Sequence, residues 1–156
     1  MTRPRTSASI PATALARAGI TLPTPATRVT RPHRDLEHQA QKALFAWAAT
    51  LEYRHPELKW LHAVPNGGHR NPAVAAKLKA EGVKRGVLDV FLDVPRGGFH
   101  GLRLELKAGN NTLTPEQREW LEHYRANGYA AFEVRGWESA AEHLEDYITG
   151  KISRDA

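Results

Sequence analysis

Glu105 and Lys107 lie two residues apart in the stretch Gly101-Leu102-Arg103-Leu104-Glu105-Leu106-Lys107. Leucine alternates with polar residues there, the period-2 pattern of a β-strand with two unlike faces. Leu102, Leu104 and Leu106 then point one way, and Arg103, Glu105 and Lys107 the other. Strand geometry holds Glu105 and Lys107 on one face, roughly 7 Å apart. A carboxylate so placed can bind a hard divalent cation, and an amine beside it can orient or activate a water. Taken alone, Glu-x-Lys is more often a solvated strand face with a weak surface ion pair. The residues upstream shift that balance. Val87-Leu88-Asp89-Val90-Phe91-Leu92 reads as a second strand, and Pro95-Arg96-Gly97-Gly98 between the two is a turn signal. A hairpin would bring Asp89 beside Glu105 on the neighbouring strand. Like charges opposed in a sheet are destabilising, so the pair calls for a cation between them.

The flanking segments supply the elements that must hold these residues. Leu36, Ala40, Ala43, Leu44, Trp47 and Leu51 recur at helical spacing and predict a buried stripe on a first helix. Glu37 lies at the edge of that stripe, where an acid near a helix N-terminus is also favourable to the helix dipole. Trp60–Val64 reads as a short strand ended by Pro65-Asn66-Gly67-Gly68. Asn-Gly-Gly permits positive φ and close approach of a ligand. Asn71-Pro72 opens a second helix, with Asn as N-cap and Pro at the first position, and Gly82 closes it. After the two strands, Thr114-x-x-Gln117 has the form of a capping box at the start of a third helix with Trp120, Leu121 and Tyr124 inside. Tyr129–Val134 is a fourth strand, and Gly136–Ile148 a last helix burying Ala140, Ala141, Leu144 and Ile148. The order α-β-α-β-β-α-β-α describes an α/β fold with a mixed central β-sheet flanked by α-helices.

Composition bounds the rest. At 156 residues the chain suits one main domain, and 41% hydrophobic with 25% charged residues is ordinary for a globular protein. There is no cysteine, which removes disulfides and thiolate metal sites and fits a reducing, cytoplasmic setting. No apolar run is long enough for a membrane span. The net charge of +5 is unevenly spread. Residues 1–34 carry six arginines and no acid, so the remainder has 16 basic against 17 acidic residues. Residues 1–32, rich in Pro, Thr, Ala and Arg, read as a disordered basic tail, either an arm that adds phosphate contacts or an inert segment, with a short helical turn over Thr13–Ala18; their Arg-rich, acid-free composition also resembles an organellar transit peptide, the lesser reading. The domain is expected over 33–150, with 151–156 as a C-terminal tail. A local basic cluster gathers at His69, Arg70, Lys77, Lys79, Lys84 and Arg85.

Asp89, a strand's length, then Glu105-x-Lys107 resembles the PD-(D/E)XK nuclease superfamily. The words Pro65-Asn66-Gly67-Gly68-His69-Arg70-Asn71, Gly82-Val83-Lys84-Arg85-Gly86-Val87-Leu88-Asp89, His100–Lys107 and Gln117-Arg118-Glu119-Trp120 are similar to the VRR-NUC family (virus-type replication-repair nucleases), most of all its small stand-alone phage and bacterial members. One departure is visible: the family's proline before the metal-binding Asp is Leu88 here. The resemblance covers about Arg34–Thr149 and implies a restriction-endonuclease-like core. It implies a Mg²⁺ or Mn²⁺ site made by Asp89, Glu105 and the backbone carbonyl of Leu106, with Glu37 completing it directly or through water. Lys107 would position the attacking water, and Gln117 would stand near the metal or the DNA. Asn66, Gly67, Gly68, His69, Arg70, Lys84 and Arg85 would contact DNA. The implied activity is a metal-dependent endonuclease on branched or structured DNA, like a Holliday-junction resolvase, acting as a homodimer in replication, recombination or repair.

Other chemistries fit less well. There is no His-Glu-x-x-His and no Cys-x-x-Cys for zinc, no Gly-rich phosphate loop for a nucleotide cofactor, and no Gly-x-Ser-x-Gly elbow. His62, Asn66 and His69 are too compressed for a His-Asn-His nuclease. The alternatives carried forward are a non-catalytic DNA-binding module of the same fold and a nuclease acting on RNA.

Overall fold

The computed structural model describes residues 33–65 and 71–154. The helical turn expected over Thr13–Ala18, and Asn66, Gly67, Gly68, His69 and Arg70, lie outside them. In chain order the elements are α1 (His33–Leu51), a 3₁₀ turn (Pro56–Trp60), β1 (Leu61–Ala63), α2 (Pro72–Ala80), β2 (Val90–Leu92), β3 (Leu102–Lys107), α3 (Pro115–Ala126), β4 (Ala130–Arg135) and α4 (Gly136–Ile148). The order of helices and strands is the one the residue patterns predict.

The four strands form one sheet in the order β1-β2-β3-β4. β1 and β2, and β2 and β3, pair antiparallel, whereas β3 and β4 pair parallel across the α3 crossover. The sheet is therefore mixed, as expected, with β3 in its interior. Leu102, Leu104 and Leu106 pack with Leu44 of α1 and Ala140, Leu144, Tyr147 and Ile148 of α4 to make the main core. Tyr147 is wholly buried, and its hydroxyl donates to the Val94 carbonyl at 2.7 Å. A smaller apolar layer on the opposite face joins Leu88, Leu121 and Ala131 to Phe91, Leu113, Trp120 and Tyr124.

Three local expectations change. The strand read over Val87–Leu92 is regular only from Val90, although Asp89 continues the ladder: its N–H donates to Leu104 O at 3.0 Å and its carbonyl accepts from Val64 N at 2.8 Å. Leu36 is 36% exposed rather than part of the α1 stripe, and Ala48 takes a core position instead. On β3 all six residues are buried, including Arg103, Glu105 and Lys107. Alternation correctly assigned the two faces, but the polar one is not solvated: Tyr124 and Gln117 of α3 reach Arg103 and Glu105 there. The Arg103 guanidinium lies over the rings of Phe91 and Tyr129, 4.1 and 4.3 Å from their centroids, and pairs with Asp93 at 2.6 Å. Aromatic faces and one carboxylate thus replace its hydration.

The loop ends are shaped by glycine. Gly97 and Gly98, both at positive φ, turn the chain between β2 and β3 where Arg96 pairs with Phe99. Residues 151–154, assigned from sequence to a terminal tail, lie against this turn: Arg154 N donates to Gly97 O at 2.9 Å, and Ile152 packs on the main core. Among the described residues no helix is long and apolar enough to cross a membrane.

Candidate active site

The hairpin puts Asp89 and Glu105 together through its register. Val90 pairs with Leu104 and Leu92 with Leu102. Continuing that antiparallel register by one residue sets Asp89 opposite Glu105, on the face that also carries Lys107. Asp89 Oδ2 accepts the Leu106 N–H at 2.9 Å, which fixes its carboxylate against β3. The Leu106 amide is thus engaged with Asp89, while its carbonyl is the atom that the resemblance assigns to the metal.

Glu105 is 1% exposed, and its two oxygens have different surroundings. Oε1 accepts from Lys107 Nζ at 2.7 Å and from Gln117 Nε2. Oε2 is buried with no hydrogen-bond partner among the described residues. Burial, then the nearby Asp89 charge, push the Glu105 carboxyl up to about 8, against the pull of Lys107. Burial likewise raises Asp89; the Leu106 amide and Lys107 oppose the rise and Glu37 adds to it. Two desolvated carboxyls that disfavour ionisation side by side are what a divalent cation stabilises, by supplying charge that the protein itself withholds.

Gln117 reconciles two uses of one side chain. Thr114 Oγ1 accepts from Gln117 N at 3.2 Å, and Gln117 Oε1 accepts from Thr114 N at 2.9 Å, a complete capping box. The amide oxygen caps α3 while the amide nitrogen donates to Glu105. The cap therefore sets the rotamer that reaches the site. The loop before Asp89 is pressed onto the same helix end. Gly86 has φ +75°, and a Cβ there would lie 2.6 Å from Glu116 Cβ and 2.9 Å from Gln117 N. Trp120 Nε1 donates to Arg85 O at 3.0 Å and fastens the other side of that loop. Lys84 and Arg85 are exposed, as are Lys77 and Lys79 on α2. α2 has the expected start, with the Asn71 side chain accepting from Ala73 N, and it buries none of its residues.

Glu37 is half-buried on α1. Its charge acts on both Asp89 and Glu105, and its Oε1 accepts from Asn111 Nδ2 at 2.9 Å. Among the described residues no three His, Asp or Glu side chains gather into a ready-made metal site. The donors that fit a hard cation are the two carboxylates of Asp89 and Glu105, with the Leu106 carbonyl, and Glu37 standing at their margin. The unpartnered Glu105 oxygen is the observation that supports this fit.

Sequence reading gave no role to Asn111, Arg135, Glu133 or Arg103. Asn111 carries only the signal of a polar turn after Gly109. Arg135 pairs in register with Lys107, and Glu133 with Glu105, across the parallel β3/β4 ladder. Arg103 reads as one more alternating charge, with nothing to mark its aromatic enclosure.

No family model matches the chain, and no curated protein does. Among solved structures, one described as a VRR_NUC domain protein is 32% identical to this chain, covers 72% of it and 88% of its own length, and superposes with a TM-score of 0.62. The shared fold is the restriction-endonuclease-like α/β arrangement, a mixed four-stranded sheet between helices, that carries Asp89 and Glu105 on adjacent strands. With identity at that level over most of both chains, this chain belongs to the VRR-NUC family.

Proposed function

We propose that the chain is a divalent-metal-dependent DNA endonuclease, using Mg²⁺ or Mn²⁺, whose site is Asp89, Glu105 and Lys107 with Glu37 and Gln117. The observation that carries the reading is the buried, unpartnered Oε2 of Glu105 beside Asp89, with a buried ammonium on its other oxygen. A surface ion pair would have neither feature. When bound, a divalent cation polarises a scissile phosphodiester and lowers the pKa of a water.

The side chains have separable tasks. Asp89 and Glu105 supply oxygen donors, and the Leu106 amide holds Asp89 in place. Gln117 and Lys107 occupy Oε1 of Glu105, which would leave Oε2 to hold a cation. The Lys107 ammonium, buried and held by a carboxylate, has donors left to orient the attacking water and to stabilise charge building on the phosphate. Lys84 and Arg85, exposed on the loop running into Asp89, would hold the DNA backbone. The Asn66–Arg70 segment follows β1, whose extension at Val64 pairs with Asp89, which favours the same role for it. Branched or structured DNA as substrate and a homodimeric assembly complete the proposal. A two-fold pair of sites suits cutting two strands of a symmetric junction.

The test compares Asp89→Ala, Glu105→Ala and Lys107→Ala on labelled four-way junction, duplex and single-stranded DNA, with Mg²⁺, Mn²⁺ or EDTA. Cleavage by the wild type should require metal, and each variant should lose it. The two carboxylate variants should also lose Mn²⁺ binding by calorimetry, whereas Lys107→Ala should still bind Mn²⁺ above pH 8. Wild-type rates from both Glu105→Ala and Lys107→Ala would place the site elsewhere.

A further inference from the structure

A chain of hydrogen bonds leads from the far edge of the sheet to Glu37. Glu133 Oε1 accepts from Arg135 Nη2 at 2.7 Å. The other end of that guanidinium, Nη1, donates to Gly109 O at 3.0 Å and to Asn111 O at 2.9 Å. Those two carbonyls belong to the turn that leaves β3 directly after Lys107, closed by Asn111 N donating to Ala108 O at 3.2 Å. Asn111 Nδ2 then donates to Glu37 Oε1 at 2.9 Å. Glu37 is 74 residues away in sequence, and this is the side-chain hydrogen bond that ties it to the β3 end of the site.

We propose that Asn111 is the positioning residue for Glu37, and that Arg135, seated by Glu133, is the clamp that positions Asn111. Three features support this. A planar guanidinium that donates to two carbonyls of one turn and to a carboxylate fixes that turn in a way a flexible ammonium would not. An amide donor on Oε1 of Glu37 sets the carboxylate's rotation about its own axis and would present Oε2 toward a cation held by its neighbours. The Glu37 charge acts on both Asp89 and Glu105, so whatever fixes Glu37 bears on both of those carboxyls. β4 takes part because its parallel pairing brings Glu133 beside Glu105 and Arg135 beside Lys107. This inference rests on the reading of Asp89 and Glu105 as cation ligands, and makes Glu37 an added donor, directly or through water, only while Asn111 holds it.

The experiment is a Mn²⁺ titration of the full chain by calorimetry, without DNA, on wild type, Asn111→Ala, Asn111→Asp, Glu37→Gln and the double variant Glu37→Gln/Asn111→Ala. Thermal melting in EDTA runs in parallel. Supporting partners of a metal site typically change affinity by about 10–100-fold. Asn111→Ala is expected to weaken Mn²⁺ binding at least about tenfold with its EDTA melting temperature near the wild type's. The double variant is expected to bind no more weakly than Glu37→Gln alone, because Asn111 acts only through Glu37. Asn111→Asp, which keeps the shape but sets a carboxylate against Glu37, is expected to weaken binding as well, and it decides the matter if Asn111→Ala does not fold. Wild-type affinity in Asn111→Ala or Asn111→Asp overturns the inference and leaves the nuclease reading intact. Losses that multiply in the double variant also overturn it. A wild type that binds no Mn²⁺ overturns both readings together.

Discussion

Cation binding to this site should be strongly pH-dependent in a range where ordinary carboxylates are not. The Glu105 carboxyl is raised to about 8, first by burial and then by Asp89. At pH 6 about 99 in 100 molecules therefore hold a proton there, and a cation must displace it. Each pH unit below 8 should weaken the apparent affinity about tenfold, ~1.4 kcal/mol, so pH 6 and pH 8 should differ about 100-fold. The raised Asp89 steepens the dependence further at the acid end. The same shift carries a stability consequence of definite sign. Between the unfolded value near 4.5 and the folded value near 8, the folded state binds more protons than the unfolded one. Stability of the metal-free protein should thus be greatest at the acid side of that window and fall as pH rises through it. The ceiling on the loss, three and a half pH units at ~1.36 kcal/mol each, is roughly 5 kcal/mol. The assay is calorimetric titration of Mn²⁺ at pH 6, 7 and 8, in two buffers of different ionisation enthalpy, so that released protons are counted. Melting in EDTA from pH 5 to 8 accompanies it. About one proton released per metal at pH 6–7, and a melting temperature that falls with pH, are expected. Glu105→Gln should flatten the melting profile. Affinity constant over pH 6–8 with no proton release would refute the argument, since Glu105 would then be an ordinary exposed carboxylate.

Substitutions at Gly86 and Gln117 test how the site is held. Gly86→Ala should lose roughly 1–2 kcal/mol for its left-handed backbone alone, and more from contact with Glu116 and Gln117; because Asp89 is three residues on, Mn²⁺ affinity should fall with the melting temperature. Gly82→Ala, at φ +93° but facing open space, is the control and should leave Mn²⁺ affinity unchanged. Gln117→Ala should cost roughly 1 kcal/mol of stability from the lost cap, whereas Gln117→Glu retains a cap-forming side chain but sets a carboxylate against Glu105. Both should cleave at least about tenfold more slowly, and wild-type cleavage by Gln117→Glu would reduce residue 117 to a helix cap.

Much of the fold was legible because each element carries a local signal. Asn71-Pro72, Thr114-x-x-Gln117 and the positive-φ glycines mark ends that depend on a few neighbouring atoms. The Leu-polar alternation of 102–107 separated a core face from a face with chemistry, and the turn signal at Pro95–Gly98 was enough to put Asp89 against Glu105. The capping pattern marked Gln117 as a helix cap and the family resemblance gave it a site role, set against each other as rivals; the structure shows the cap together with a hydrogen bond to Glu105. A sequence offers no way to see that one amide can serve both, since that depends on its nitrogen and oxygen pointing to different partners at once.

Burial of the polar face, and what crosses it, belonged to the tertiary structure. Alternation reports which residues share a face but not which element covers that face. The parallel return through α3 set Tyr124 against Arg103 and Gln117 against Glu105, on a face where Lys107 is buried as well. That burial turned an ordinary Glu-Lys pair into a carboxyl raised to about 8 with one oxygen unpartnered. Asn111 meets Glu37 across 74 residues, and Arg135 reaches the turn at 109–111 from the edge strand. These contacts depend on register and on long side chains meeting within a few tenths of an ångström, which no local pattern encodes. The residues named by chemistry were in the sequence; the desolvation that raises the Asp89 and Glu105 carboxyls was decided only when the chain closed over that face of the sheet.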